Sequence, residues 1–520
     1  MDMLREPALG TPALVAALHD PACYPHPVDR VEAIETHISH VLLAGDFAYK
    51  LKKPVKLAFL DFSTPELRRH YCEEELRLNR RSAPGIYLDV VAIGGDPLHP
   101  RIGAHPVLEH AVRMRRFGQE ALFSAMAQAG ELQPAHVDAL AVALSRLHEG
   151  AARATSAEPP GQPALANFFQ IAQAGVDRAV LERLAPLRRW TQARTRALEP
   201  LFAQRLANGF VRECHGDLHL ANVAWVDGQP LPFDGIEFSE ALRWIDVASD
   251  VAFAAMDLHR LGLPRLAARF IDRYLERTGD YEAARLVRYY MVYRAMVRAK
   301  VAAIAFGQAA PGSVAARAAR ARLMDHLELA AALSRDGPAL LVAMHGLPAS
   351  GKTTVSARLV EALGGIRVRS DVERKRQHGM EAGTRAGAAP GEGIYGARDT
   401  EATYERLAGA AGDILAGGFP AIVDATFADR ARRERFRALA AGAGAGFHIV
   451  SCTAPEALLR ERVAARAHAG TDASDAGLAV LEERLRRDEP LAPGERALVV
   501  DTSAKGQEEA LARRLAGEPA

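Results

Sequence analysis

The chain has 520 residues, of which 49% are hydrophobic and 25% charged, and its net charge is +1. This length predicts two or three domains with cores of their own, and the balanced charge argues against nucleic acid as a partner. No run of about 18 apolar residues is present, so no membrane span is expected. Four scattered cysteines suit a reducing cytosol, so we expect a cytoplasmic protein.

The first part of the chain predicts a small antiparallel lobe. Residues 31–51 alternate apolar and polar side chains, which favours two strands joined at Gly45-Asp46. Lys50 lies near the end of the second strand, and from the residues alone a solvated edge is the favoured interpretation of Lys50, Lys52 and Lys53. A helix over 64–81 is expected to pack across the lobe. Further strands are predicted over 86–93 and 106–114.

A second stretch carries residues suited to chemistry. His215-Gly-Asp217 is followed by Asn222, and Asp234 ends the next short strand. These residues suit phosphoryl transfer, because one carboxylate can take a hydroxyl proton while the amide oxygen and the other carboxylate hold Mg²⁺. The spacing matches the protein-kinase pattern H-R-D-x-x-x-x-N with a later Asp. Capping of turns is the alternative for a single Asp, and the ordered set argues against it.

A linker is predicted between two domains. Residues 245–335 have a helical pattern almost throughout, and Asp336-Gly-Pro338 then interrupts it. We therefore predict one domain over residues 1–335 and a second over residues 336–520.

The second domain opens on a phosphate-binding motif. An apolar run, Ala339–Met344, predicts a buried parallel strand, and the eight residues from Gly346 to Thr353 match G-x-x-x-x-G-K-[ST] in full. Its glycines let backbone N–H groups wrap a phosphate, Lys352 can reach the β- and γ-phosphates, and the Thr353 hydroxyl can bind Mg²⁺. The flanking strand and helix argue against a chance glycine-rich turn. The predicted nucleotide contacts are Gly346, Ser350, Gly351, Lys352, Thr353 and Thr354.

Strands and helices then alternate to the end of the chain. This pattern predicts a doubly wound parallel sheet with ligands at the carboxyl ends of its strands. Asp371 and Asp424 both fall at such ends, and we expect Asp424 to help hold the metal. Simple capping is the alternative for each acid. An arginine-rich helix is predicted over 455–469.

The stretch HGDLHLAN resembles the aminoglycoside phosphotransferase and choline kinase family, as do the later Asp234-Gly-Ile-Glu and Trp-Ile-Asp246. The resemblance covers roughly residues 30–310. It implies a bilobal, protein-kinase-like fold with Asp217 as the catalytic base. Asn222 and Asp234 are then implied as the Mg²⁺ ligands.

The same resemblance changes the interpretation of Lys50, which it implies is the strand lysine that contacts the ATP phosphates. The helix partner of Lys50 is then Glu73 or Glu75, and we take Glu73. The segment from Thr36 to His40 departs from the family because it is not glycine-rich.

Residues 338–503 are similar to the P-loop kinases grouped with polynucleotide kinase, gluconate kinase and zeta toxin. This resemblance implies that Asp371 is the base toward an acceptor hydroxyl. It also implies that the arginine-rich helix is a lid with Arg462 or Arg466 near the phosphates, and we take Arg466. The whole order of modules resembles bacterial bifunctional aminoglycoside phosphotransferase/ATP-binding proteins.

Taken together, the resemblances imply two modules that bind ATP and Mg²⁺, each transferring the γ-phosphate to a hydroxyl-bearing acceptor, most simply a small molecule. One alternative is that the P-loop module is a sensor that binds or hydrolyses ATP and regulates the other module. Another is that the kinase-like lobe is an inactive binding scaffold. The intact set of Asp217, Asn222 and Asp234 argues against a scaffold, because a scaffold needs none of them.

Overall fold

The computed structural model describes residues 11–57, 60–384, 393–469, 477–487, 489–504 and 506–516. Within these ranges, the side chains at 11, 466–469 and 487 are not described. No helix in the described ranges is both long and apolar enough to cross a membrane.

The described ranges contain 18 α-helices and 17 β-strands. The helices are α1 Thr11–Ala17, α2 Pro65–Asn79, α3 Phe123–Gln128, α4 Pro134–Glu149, α5 Gly161–Gln173, α6 Arg178–Ala207, α7 Glu240–Arg243, α8 Val247–Arg260, α9 Pro264–Thr278, α10 Ala284–Gln308, α11 Val314–Leu333, α12 Lys352–Leu363, α13 Ser370–Gln377, α14 Ala397–Ala416, α15 Arg430–Gly442, α16 Glu456–Ala469, α17 Leu478–Arg487 and α18 Glu508–Leu515. The strands are β1 Val31–Glu35, β2 Ser39–Ala44, β3 Phe47–Lys52, β4 Lys56–Leu57, β5 Leu60–Asp61, β6 Tyr87–Asp96, β7 His99–Ile102, β8 Val107–Arg115, β9 Val211–Glu213, β10 Val223–Val226, β11 Gln229–Pro232, β12 Trp244–Asp246, β13 Leu340–His345, β14 Ile366–Arg369, β15 Ala421–Asp424, β16 Gly446–Thr453 and β17 Leu498–Asp501.

The chain divides into two compact units. The first contains residues 1–158 and 203–250, and the second contains residues 159–202 and 251–520. The helices over 251–335 therefore belong to the same compact unit as the P-loop sheet. The boundary at 335/336 stays a prediction about function.

The first unit is built on a six-stranded antiparallel sheet with the order β1-β2-β3-β8-β6-β7. β2 and β3 form the predicted hairpin across Gly45-Asp46. The region 31–51 holds three strands and not two, because a turn separates β1 from β2: the Thr36 hydroxyl accepts the Ser39 N–H at 2.9 Å. Helix α2 packs against β6 and β8, and its Thr64 cap accepts the Leu67 N–H.

The second unit contains the predicted parallel sheet, with the order β14-β15-β13-β16-β17. The central strand β13 is buried along its whole length, as an apolar strand covered on both faces should be. Helix α9 packs against both the P-loop helix α12 and the edge strand β14. This helix lies before the linker, so the P-loop sheet is covered in part by the preceding region of the chain.

Candidate active sites

Two buried lysines organise the site of the first unit. Residues 50 and 52 are two apart on β3 and so share one face of the strand. Lys50 Nζ donates to Glu75 Oε1 at 2.8 Å and contacts Asp234. Lys52 Nζ donates to Glu75 Oε2 at 2.8 Å and contacts Glu237. Two lysines thus face three carboxylates, which leaves one negative charge for a cation to balance.

The helix partner of Lys50 is Glu75, so the choice of Glu73 is wrong. Residues two apart on a helix point about 200° apart around its axis, and α2 turns Glu75 inward with Cys72 and Leu78. Glu73 is exposed and pairs with Arg69 one turn earlier, at 2.9 Å. The sequence reasoning left both glutamates open, and the buried face of α2 was the signal that separates them.

The charged network favours the ionised forms of Lys50 and Glu75. Burial opposes ionisation of Glu75, but Lys50 and Lys52 outweigh it and lower its pKa to about 2. Burial also disfavours the charged form of Lys50, yet the carboxylates of Asp234 and Glu75 raise its pKa well above the usual value. Burial raises the pKa of Glu237. Lys50 is therefore a fixed cation at the bottom of the site.

Asp217 and Asn222 lie together on the loop after β9. Asn222 Nδ2 donates to the Asp217 carbonyl oxygen at 3.0 Å and lies 3.4 Å from Asp217 Oδ2. Asp217 is half-buried, and Asn222 is buried at the end of a short 3-10 turn over Leu220–Asn222. Because its NH₂ group is directed at Asp217, the amide oxygen of Asn222 is the atom that can face a cation.

Backbone hydrogen bonds fix this loop. The carboxylate of Asp250, on α8, accepts the N–H groups of His215 and Gly216 at 2.7 and 2.9 Å. His215 Nε2 lies 2.9 Å from the Phe233 carbonyl, and since a carbonyl only accepts, Nε2 carries the proton. Burial lowers the pKa of His215 and favours this neutral form. His215 therefore ties the Asp217 loop to the segment that precedes Asp234.

Asp234 adopts an uncommon backbone conformation. Its φ of 62° lies in the left-handed region, which costs energy for a residue with a side chain. Its N–H donates to the Tyr87 hydroxyl at 3.1 Å, and the next N–H, of Gly235, donates to Asn79 Oδ1 at 2.8 Å. Those bonds hold Asp234 where it meets Lys50. A carboxylate and an amide oxygen are ligands that Mg²⁺ prefers, so Asp234 and Asn222 fit a metal-bound nucleotide.

The second unit holds the P-loop between β13 and α12, where the motif predicted it. At Gly346, with φ 136°, an added Cβ would lie 2.4 Å from the Cys452 carbonyl oxygen, so no side chain fits there. Lys352 Nζ donates to the carbonyls of Gly346 and Leu347, both at 2.8 Å. The buried Ser350 Oγ has no hydrogen-bond partner among the described residues. A close-packed loop with an unused hydroxyl and a lysine folded over it fits a phosphate group.

Asp424 ends β15 beside the P-loop strand, in register with Met344. It is buried and accepts the Ser356 hydroxyl at 3.3 Å, while Arg369 Nε lies 3.8 Å from the same oxygen. Thr353 is exposed in the first turn of α12. A hydroxyl and a carboxylate on neighbouring elements fit Mg²⁺, as at other P-loops.

Asp371 is the second residue of helix α13, whereas the sequence led us to expect it at the end of the preceding strand. It is half-buried and follows Arg369, which pairs in register with Asp424. Asp424 therefore lies at the carboxyl end of β15, and Asp371 lies just beyond the carboxyl end of the neighbouring strand β14. Arg374, one turn after Asp371, is buried and donates to the Thr400 hydroxyl at 3.1 Å.

Arg462, one of the two arginines predicted for the lid, has a side chain that contacts the P-loop. Its guanidinium donates to the Thr502 hydroxyl at 2.9 Å and lies 3.4 Å from the Ala349 carbonyl oxygen. Thr502 in turn donates to the Ser350 carbonyl at 2.9 Å. The predicted Arg466 lies outside the residues whose side chains are described.

Several residues of the two sites were missed from the sequence. Lys52 was read as a solvated edge although its spacing from Lys50 places both on one face. Glu237 was only part of a quoted motif. Arg367 carried no motif, and neither did Ser356 of the P-loop helix α12, whose hydroxyl accepts a hydrogen bond from Arg367 at 3.3 Å.

Comparisons with known proteins match both regions. Residues 85–287 match the model of the phosphotransferase enzyme family, and residues 341–491 match the model of an AAA domain. Among solved structures, a choline/ethanolamine kinase family protein from Mesorhizobium loti is 13% identical, covers 61% of this chain and 98% of its own, and has a TM-score of 0.37. A gluconokinase from Sinorhizobium meliloti is 22% identical, with 35% and 91% covered and a TM-score of 0.24.

The two family matches and the parallel sheet confirm both predicted modules and the predicted fold class. The protein is a kinase-type phosphotransferase whose kinase-like N-terminal fold is joined to a C-terminal P-loop domain with a parallel sheet. It belongs to one family with uncharacterised proteins from Mycobacterium tuberculosis and Mycobacterium bovis. Each is 32% identical over 478 residues, which is 90% of this chain and 93% of the relative.

Proposed function

We propose that the chain carries two ATP-dependent phosphotransferase sites, each of which transfers the γ-phosphate to a hydroxyl group of a small acceptor. The observation that carries the proposal is the assembly of Lys50, Glu75 and Asp234 in the unit that also holds the Asp217–Asn222 loop. A buried lysine between two carboxylates, with a half-buried Asp beside an Asn, supplies the parts that phosphoryl transfer needs.

In the kinase-like site, Lys50 binds the phosphates of ATP and Glu75 keeps Lys50 in place. Asn222 and Asp234 would hold Mg²⁺, which neutralises negative charge on the phosphates when it is bound. Asp217 accepts the proton of the acceptor hydroxyl. Its half-buried position supports this role, because the protein holds one side of Asp217 in place while the other side is open to an incoming acceptor.

In the P-loop site, the backbone of Gly346 to Thr354 surrounds the phosphates, and Ser350 and Gly351 belong to the same cradle. Lys352 leaves the carbonyls of Gly346 and Leu347 to bind the β- and γ-phosphates. Thr353 and Asp424 would hold Mg²⁺, and Asp371 acts as the base toward the acceptor. The contact of Arg462 with the loop supports an arginine lid, in which Arg466 remains a candidate.

A sensor role for the P-loop module is the second candidate. It is favoured by the hydrogen bond between α9, which lies in the region matched by the phosphotransferase family, and β14, the edge strand of the P-loop sheet. ATP binding or hydrolysis at the P-loop would then regulate the kinase-like site.

We also propose that the protein is located in the cytoplasm. Its proposed partners are a nucleotide and a hydroxyl-bearing acceptor. All four cysteines lie in the described part of the chain, and none of them forms a disulfide there, which supports a reducing compartment.

The test is transfer of labelled γ-phosphate from ATP into a pooled library of metabolites and aminoglycosides. Wild type, Asp217→Ala and Lys352→Ala are run in parallel. A labelled acceptor lost only in Asp217→Ala assigns activity to the kinase-like site, and one lost only in Lys352→Ala assigns it to the P-loop site. Label released only as free phosphate, in a Lys352-dependent reaction, would favour the sensor and contradict transfer at the P-loop.

A further inference from the structure

A buried chain of polar contacts runs from helix α9 to the P-loop helix within the second unit. Asp272 Oδ1, on α9, accepts the backbone N–H of Arg367 at 2.7 Å. Glu276, one turn later on α9, accepts from Arg367 Nη2 at 3.3 Å. Both acids are almost fully enclosed, and the Arg367 side chain is only 1% exposed. Arg367 is thus held from one side by two carboxylates.

The other side of the Arg367 guanidinium faces the start of α12. Nη1 donates to the Thr353 carbonyl oxygen at 3.1 Å and to the Ser356 hydroxyl at 3.3 Å. Ser356 in turn lies 3.3 Å from Asp424 Oδ2. The contacts of Arg367 therefore reach both residues assigned above to the metal, Thr353 through its backbone and Asp424 through Ser356.

A second arginine on the same strand links the same acids. Arg369 lies 3.7 Å from Glu276 and 3.8 Å from Asp424. Residues 367 and 369 are two apart on β14, so both side chains leave the same face of the strand, toward α9 and α12. Two arginines on one face thus connect α9 with the acid that ends β15.

Helix α9 does not belong to the matched P-loop region. The AAA-domain match begins at residue 341, whereas α9 lies inside the match to the phosphotransferase family at 85–287. The carboxylates that hold Arg367 are therefore supplied by the preceding module.

We propose that helix α9 is a positioning element of the P-loop metal site, and that Asp272 and Glu276 hold Arg367 where it fixes the first turn of α12 and the orientation of Asp424. The inference rests on the proposed nucleotide site at the P-loop. Outer partners of metal ligands set the orientation of those ligands, and their loss commonly lowers metal affinity about 10–100-fold. Part of the kinase-like module is thereby required for metal-dependent nucleotide binding at the other site.

The experiment measures binding of a fluorescent ATP analogue to the full chain, with Mg²⁺ and with EDTA. Each variant is also made with Lys352→Ala, and the binding lost by that change is taken as binding at the P-loop. The first test variant is the double change Asp272→Asn/Glu276→Gln, which keeps the size of both side chains. The second is the single change Glu276→Gln, which keeps the hydrogen bond from the Arg367 N–H to Asp272. The matched control is Arg265→Ala, because Arg265 also joins α9 to the P-loop domain, through an exposed pair with Glu509 at 2.7 Å.

We expect the double variant to lose about tenfold or more in Lys352-dependent affinity with Mg²⁺ and less than about twofold with EDTA. Glu276→Gln should show a smaller loss of the same kind, and Arg265→Ala should match wild type. An equal loss with and without Mg²⁺, or a double variant that behaves like Arg265→Ala, would overturn the proposal. If wild type shows no Lys352-dependent binding at all, the proposed P-loop site fails first, so the two failures are distinguishable.

Discussion

Lys50 and Lys352 are assigned the same task, contact with the phosphates of ATP, but the two units hold them in different ways. Lys50 is buried and bonded to carboxylates that lie 25 and 184 residues away in the chain. Lys352 is bonded to two carbonyls that lie six and five residues before it. The kinase-like site thus depends on charges collected from distant segments, whereas the P-loop site is built mainly from one continuous segment.

This difference has an energetic consequence. A lysine among carboxylates is held by charge-assisted hydrogen bonds, which are stronger than bonds to neutral carbonyls. Removing one member of the buried network leaves an uncompensated charge, whereas changing Lys352 leaves carbonyls that can be satisfied by the loop or by water. The kinase-like site should therefore couple activity to stability more tightly than the P-loop site does.

The largest expected effect is the loss of phosphoryl transfer at the kinase-like site alone when its proposed base is changed. Asp217→Asn should lower transfer by the kinase-like site by about 10²–10⁴-fold, because general-base catalysis contributes that much. Its backbone carbonyl still accepts the Asn222 bond, so the loop should keep its conformation. Steady-state transfer and ATP affinity are measured together, and unchanged turnover would refute the base assignment.

A second prediction concerns stability in the buried network. Lys52→Met should lower the free energy of unfolding by about 3–5 kcal/mol, because it removes the cation that Glu75 and Glu237 share. Lys52→Met/Glu237→Gln should recover most of that loss. The readout is hydrogen exchange of the β3 amides.

The control for that prediction is an exposed pair on the same helix as Glu75. Arg69→Met breaks the ion pair with Glu73 and should lower the free energy of unfolding by less than about 1 kcal/mol. A double variant no more stable than Lys52→Met would show that packing, and not charge balance, explains the role of Lys52.

A third prediction compares the two neighbouring glutamates of α2. Glu75→Gln should weaken ATP binding at the kinase-like site by about tenfold, because Lys50 loses a charged partner worth roughly 1.5–3 kcal/mol. Glu73→Gln should leave that affinity unchanged, since its side chain is exposed and bonded to Arg69. The measurement is nucleotide titration in the Lys352→Ala background. Equal effects of the two changes would contradict the assignment of Glu75.

The fourth prediction is an opposite pH dependence in the two units. Glu75 has a pKa lowered from 4.5 to about 2, so its contribution to stability is full above pH 4.5 and is lost as the pH falls toward 2. Burial raises the pKa of Asp272 from 3.8 to about 6, against the pull of Arg367, so its contribution is full below pH 3.8 and is lost as the pH rises through 6. Each effect should be roughly 1–3 kcal/mol.

That pH dependence is measured as the difference in unfolding free energy between wild type and Glu75→Gln, and between wild type and Asp272→Asn. The first difference should shrink as the pH falls, and the second should shrink as it rises. Differences that move in the same direction would contradict the charge environments described for the two acids.

The same comparison explains what the sequence could predict. The P-loop is one continuous motif, so its residues, flanking strand and helix could all be predicted, as could the parallel sheet. The choice between Glu73 and Glu75 required knowing which face of α2 is buried. The contacts of Arg367 with α9 join positions about 90 residues apart and follow no motif, so only the folded chain brings them together.

The most direct test of two separate nucleotide sites is the number of ATP molecules bound per chain. Calorimetry would measure the binding of a non-hydrolysable ATP analogue, in the presence of Mg²⁺, to wild type, Lys352→Ala and Asp234→Asn. The account predicts two analogue molecules per wild-type chain and one full-affinity molecule in each variant. One analogue per wild-type chain, abolished by either substitution alone, would contradict it.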